Sequence, residues 1–147
     1  MKLDQKITDQ IVNYFAKKPE VAAVYLYGSY ARSEAKTDSD IDLAVLVTDT
    51  RKYKGFGIPQ VVFSTDLEKI TGKKVEVQDL TACSVEFAHR VLSEGKLLTS
   101  NNEKERVNFQ TSIVRKYFDL KPILDEYNYY LAKIIKRGEL HVRYPTH

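Results

Sequence analysis

The apolar run Val21 to Tyr27 (VAAVYLY) stops at Gly28-Ser29, and ten residues later Asp40-Ile41-Asp42 opens a second apolar run, Leu43 to Val47. Both runs are short, rich in apolar residues and bounded by turn chemistry, so each is read as a buried strand. The connector carries Thr37-Asp38-Ser39, a turn sequence. Two buried strands so closely joined are expected to be neighbours in one sheet. In a strand, side chains alternate faces, so Asp40 and Asp42 point the same way, with Cα atoms roughly 6.5–7 Å apart.

Asp42 is the harder residue to place blandly, because Ile41 and Leu43 flank it in a strand that reads as buried. Enclosing two neighbouring like charges without a cation costs on the order of several kcal/mol. Paired carboxylates at this spacing suit a hard divalent ion such as Mg²⁺, which takes oxygen ligands. The Gly28-Ser29 turn offers backbone N–H groups and a hydroxyl to phosphate oxygens. Turn and carboxylates together imply a site for a metal-bound nucleoside triphosphate.

The rest of the chain supplies a third carboxylate. Leu3, Ile7, Ile11 and Phe15 recur at helical spacing, and Lys17-Lys18-Pro19 closes that helix. Ser29 to Ala35 is expected to be a short helix, and Thr48 to Pro59 a mobile loop. Val61 to Thr71 reads as a helix capped by Gly72. Lys74 to Leu80 (KVEVQDL) alternates apolar and polar residues, as a third strand with one polar face does. Glu76 sits on that polar face and is the candidate to complete a two-ion site; Asp79, on the opposite face, is the runner-up. Ser84 to Ser93 reads as a helix, and Leu97-Leu98 as a short strand. Arg32 and Lys36 are candidate phosphate contacts, with solvated surface cations as the plain alternative.

Beyond Asn101 the composition shifts: glycine is absent until Gly138, while Phe109, Tyr117, Phe118, Tyr127, Tyr129, Tyr130 and Tyr144 enrich the tail in aromatics. Apolar residues follow helical spacing there, and Pro122 is expected to kink or split the helix. Tyr127, Tyr129 and Tyr130 cannot share one helical face, so at least one is exposed unless a partner covers it. The division is therefore residues 1–100 as one α/β (α+β) unit with a small mixed sheet flanked by helices, and 101–147 as a helical extension making partner or dimer contacts.

With 147 residues, 43% of them hydrophobic, the chain suffices for one compact domain. Its net charge of +3 comes from dispersed residues, with no basic stripe to track a nucleic-acid backbone. No apolar run reaches the ~18–20 residues of a membrane span, and the N-terminus lacks the apolar core of a secretory signal. The one cysteine, Cys83, excludes an internal disulfide and fits a reducing cytoplasm, packing as a small hydrophobe.

The stretch GSYARSEAKTDSDIDL, with the later KVEVQDL and VLSEGKLL segments, resembles the minimal nucleotidyltransferases of the DNA polymerase beta superfamily. Many relatives have Gly where this chain has Ser33, and Asp where it has Glu76. The resemblance implies a nucleotidyltransferase fold and Mg²⁺-dependent transfer of a nucleoside monophosphate, two ions serving as cofactors. It implies that Gly28 and Ser29 bind the triphosphate, and that Asp40, Asp42 and Glu76 bind metal and carry catalysis. The length and the tail are similar to the MNT antitoxins of HEPN/MNT toxin–antitoxin pairs. That likeness implies transfer of AMP from ATP to a tyrosine of a HEPN ribonuclease toxin. The alternatives are an antitoxin that neutralises by binding alone, and a small-molecule nucleotidyltransferase of the antibiotic-modifying type. A homo-oligomer and a hetero-oligomer with the toxin are both compatible with the sequence.

Overall fold

In the computed structural model, which describes residues 1–55 and 58–138, four strands form one sheet in the order β3-β2-β1-β4. Strands β1 (Val21–Tyr27) and β2 (Ile41–Val47) pair antiparallel. β4 (Lys96–Ser100) runs antiparallel to β1 on its other side. β3 (Val75–Asp79) lies parallel to β2, reached by a crossover through a helix. The sheet is therefore mixed, and both faces are covered by helices.

Three of the helices begin at a side-chain cap, and another begins at a proline. In α1 (Gln5–Ala16) the Asp4 carboxylate accepts from the Lys6 N–H. Helix α3 (Pro59–Thr71) starts two residues earlier than its apolar periodicity indicates, because Pro59 occupies the first helical position, where its missing N–H costs nothing. It ends at Gly72, with φ 72°. Ser84 caps α4 (Val85–Glu94) by accepting from Phe87 N–H, and Asn102 caps α5 (Glu103–Lys136) by accepting from Glu105 N–H.

Ile11 and Phe15 of α1 and Phe63 and Leu67 of α3 pack on one face of the sheet, over Val24, Leu26, Leu43 and Val45. Ala88 and Val91 of α4 and Ile113 of α5 cover the other, over Ala23, Tyr25, Ala44 and Leu46. Asn101 fastens the start of α5: its side-chain amide donates to the carbonyls of Phe15, Lys18 and Val21 at 2.8, 3.1 and 3.0 Å.

Three local expectations change. The helix after Gly28 spans only Gly28–Ala31 (α2) instead of reaching Ala35. The segment after Val47 includes a 3-10 turn, Arg51–Tyr53, and Tyr53 is buried, its hydroxyl donating to Glu20 at 2.6 Å. Pro122 does not split the last helix: α5 continues through it for 34 residues. Residues 139–147 of the extension, with Tyr144, lie outside the described residues. Among those described, no helix is long and apolar enough to cross a membrane.

Candidate active site

Register explains how the site assembles. Tyr27, the last residue of β1, is the antiparallel partner of Asp42, so the Gly28-Ser29 turn emerges beside the start of β2. Asp42 is also the parallel partner of Glu76. The turn and two carboxylates thus meet at one corner of the sheet, on the face that α4 covers.

Gly28 has φ 73°, a left-handed conformation that favours glycine. A Cβ there would collide with Oδ2 of Asp42 and sit 3.0 Å from its Cγ. The turn therefore lies directly against the carboxylate, and only glycine fits both the backbone and the space. Ser29 follows within α2, half-buried, and its carbonyl accepts from the Glu34 N–H at 2.9 Å.

Asp42 is half-buried and its carboxyl is pushed up to about 6. Burial is the largest cause, followed by a hydrogen bond to Glu76 and by the negative charges of Glu76 and Asp40; Arg32 opposes them. Burial, with the charges of Asp42 and Glu76, also raises the Tyr27 phenol well above its usual range. Asp40 lies one residue before β2 and is engaged by Lys74, whose Nζ stands 3.7 Å from Oδ2. Glu76 is exposed on the polar side of β3. Among the described residues, no three His, Cys, Asp or Glu side chains are gathered into a ready-made cage. The donor chemistry nonetheless fits a hard cation: Asp42 and Glu76 are like charges forced together, and a divalent ion removes the repulsion that raises Asp42.

Asp79 faces away from this corner. It is buried and accepts from the backbone and hydroxyl of Thr81 at 2.9 and 2.8 Å, closing the turn after β3. Arg32 is near enough to influence Asp42 but is exposed and paired with Glu34 at 2.9 Å. Cys83 packs among the apolar residues beneath α4, and burial raises its thiol.

A cleft of about 170 Å³ adjoins the turn, between α2 and α4. Gly28, Ala31 and Arg32 form one wall; Phe87, Arg90 and Glu94 form the other. Tyr27 packs edge-on against Phe87, their ring centroids 5.3 Å apart. Arg90, Phe87 and Lys74 escape a reading of the sequence, since nothing local distinguishes them from residues of an ordinary amphipathic helix or strand end. The one available signal was the position of Arg90 on the polar side of α4, between the buried Ala88 and Val91.

Comparison with known proteins identifies the family. Residues 9–104 match the family model "Polymerase beta, Nucleotidyltransferase". A protein adenylyltransferase MntA of Aphanizomenon flos-aquae is 30% identical over 116 residues, 73% of this chain and 75% of that protein. The Shewanella oneidensis protein of the same name is 27% identical over 125 residues, 82% of this chain and 86% of its own. Two solved structures share the fold. One is a toxin–antitoxin with AMP-PNP, at TM-score 0.64 and 23% identity, covering 82% of this chain and 97% of the other. The second is a tri-AMPylated Shewanella oneidensis HEPN toxin in complex with MNT antitoxin, at TM-score 0.61 and 22% identity, covering 85% and 98%. The chain belongs to the polymerase-beta nucleotidyltransferase family, in the branch of the MntA protein adenylyltransferases.

Proposed function

We propose that this chain is the antitoxin of a HEPN/MNT pair, acting in the cytoplasm as an adenylyltransferase that moves AMP from ATP to a tyrosine of the HEPN toxin. Two similar proteins are protein adenylyltransferases, and an MNT antitoxin of the same fold accompanies a tri-AMPylated HEPN toxin. The observation that carries the reading is the corner where Gly28, Asp42 and Glu76 meet through strand register.

In the reaction, the tyrosine oxygen forms a bond to the α-phosphorus of ATP, the bond from that phosphorus to the bridging oxygen breaks, and pyrophosphate leaves. Gly28 and Ser29 hold the triphosphate against the carboxylates, and Arg32 and Arg90 neutralise its outer oxygens from the adjoining cleft. Asp40, Asp42 and Glu76 would hold two Mg²⁺ ions, which supply charge neutralisation at the phosphates and activation of the attacking hydroxyl. Glu76, exposed at the sheet corner, takes the phenolic proton. Positioning and charge account for most of the rate, as phosphoryl-type transfer requires. Residues 1–100 supply the groups of the catalytic corner; the start of α5 packs on the same sheet, and its exposed C-terminal half serves contacts with other chains.

The test incubates the chain with ATP, Mg²⁺ and the product of its neighbouring gene. The expected product carries mass increments of about 329 Da, one per AMP, and none with Asp42→Asn. An unmodified partner that is still neutralised by the Asp42→Asn chain would instead establish inhibition by binding alone.

A further inference from the structure

The apolar face that fastens α5 to its own domain does not end where the domain ends. Ile113 is buried under the sheet, and Tyr117 stacks on His89 of α4 with ring centroids 3.6 Å apart. Beyond them, Leu120, Ile123, Tyr127, Tyr130 and Ile134 continue at alternating spacings of three and four residues, the seam of a helix that packs against another helix. This part of the seam is uncovered among the described residues: Ile123 is 64% exposed, Tyr127 62% and Tyr130 54%. Pro122 and the Lys121–Asp125 ion pair, 2.7 Å, lie off the seam, so nothing on it obstructs a second helix.

The flank of the seam identifies that helix. Along one side the charges run Asp119, Glu126, Lys133, and Arg137 follows at the seam's end. The sequence is acidic first and basic last. We infer that the C-terminal half of α5 packs antiparallel against α5 of a second copy of this chain, about a two-fold axis near Asn128 and Tyr129. In that register Tyr127 meets Tyr130 of the other copy, and Ile123 meets Ile134. Glu126 then faces Lys133, and Asp119 faces Arg137, twice each by symmetry. A parallel pair would instead lay the charged flank against Leu124 and Leu131. The overlap spans residues 119–138, about 30 Å of helix at ~1.5 Å per residue, and stops where Tyr117 engages its own domain.

Sedimentation equilibrium of the full chain over two decades of concentration tests the inference. A dimer is expected, converted to monomer by Tyr127→Glu/Tyr130→Glu with the unfolding transition of the α/β unit retained. Glu126→Lys alone should weaken dimerisation several-fold, and so should Lys133→Glu alone; the double exchange Glu126→Lys/Lys133→Glu should restore it. A chain that is monomeric throughout overturns the inference. So does a dimer indifferent to the two tyrosines, or a failure of the double exchange to restore what each single change loses. Hydrogen-exchange protection of this face that requires residues after Gly138 or the HEPN partner would overturn it as well.

Discussion

Asp42 and Glu76 are register partners across the parallel β2–β3 ladder, and the neighbouring carboxylate of Glu76 adds to burial in raising the proton affinity of Asp42. Two acids are thereby held together at a sheet corner, one of them half-buried. Asp42→Asn should abolish AMP transfer, with a loss of about a thousandfold or more, as removal of a group central to transition-state charge stabilisation does. The same change should stabilise the metal-free protein. Measuring both on one preparation separates a catalytic loss from a folding defect.

The proton affinity of Asp42 also sets a pH dependence. Its folded-state value, about 6, lies above the ordinary carboxylate value of 3.8. The folded state therefore binds a proton that the unfolded chain releases, and stability from this group falls as pH rises from about 4 to about 6. In EDTA, the melting temperature of the unaltered protein relative to Asp42→Asn should decline across that window and level off above it. Added Mg²⁺ should remove the decline.

Gly28→Ala places a methyl group against Oδ2 of Asp42 in a left-handed backbone conformation. The backbone alone costs about 1–2 kcal/mol, and the collision displaces the turn or the carboxylate. Denaturant unfolding should register the destabilisation. ATP turnover should fall further than stability does, because a displaced turn misplaces the triphosphate.

Arg90 faces the cleft beside Gly28 without an ion-pair partner among the described residues, whereas Arg32 is held by Glu34. Arg90→Ala should raise the KM for ATP about tenfold, as loss of a charge-assisted phosphate contact worth ~1.5 kcal/mol would. Glu34→Gln should lower KM, since it frees Arg32. Steady-state kinetics at low and high salt would check both, with the smaller effects at high salt.

Glu20 tests the scaffold away from the site. It is 8% exposed, and burial pushes its carboxyl up, but the Tyr53 hydroxyl, a backbone N–H and Lys52 together hold it below the usual range. Its folded-state value is lowered, so its contribution is present above the ordinary carboxylate range and lost as pH falls through it. Tyr53→Phe removes a hydrogen bond to a charged group and should cost about 1.5–3 kcal/mol near neutral pH. The deficit in chemical unfolding should shrink in acid.

Much of this was legible in the chain. The runs VAAVYLY and IDLAVLV read as strands from their length and flanking turns, and KVEVQDL showed its polar face by alternation. The motif between the first two carried the family. What stayed hidden involved choices that local sequence does not make. Arg90 and Phe87 belong to an amphipathic helix that reads like any other until its placement beside Gly28 is known. The turn after Val47 looked like a plain loop because the partner that buries Tyr53 is Glu20, 33 residues away. Pro122 promised a break, yet α5 runs on through it.

By itself, then, the sequence determined the elements and the kind of residue on each face, because period and capping are local properties of a chain. It placed Asp42 in a buried strand and Glu76 on a polar face. The tertiary structure decided that these two stand opposite each other. That required a parallel crossover through α3 and one particular register, and a slip of two residues would have set Asp42 beside Gln78, with the same faces buried. Register is settled by how α1, α3 and α4 pack on the finished sheet, which no single segment contains.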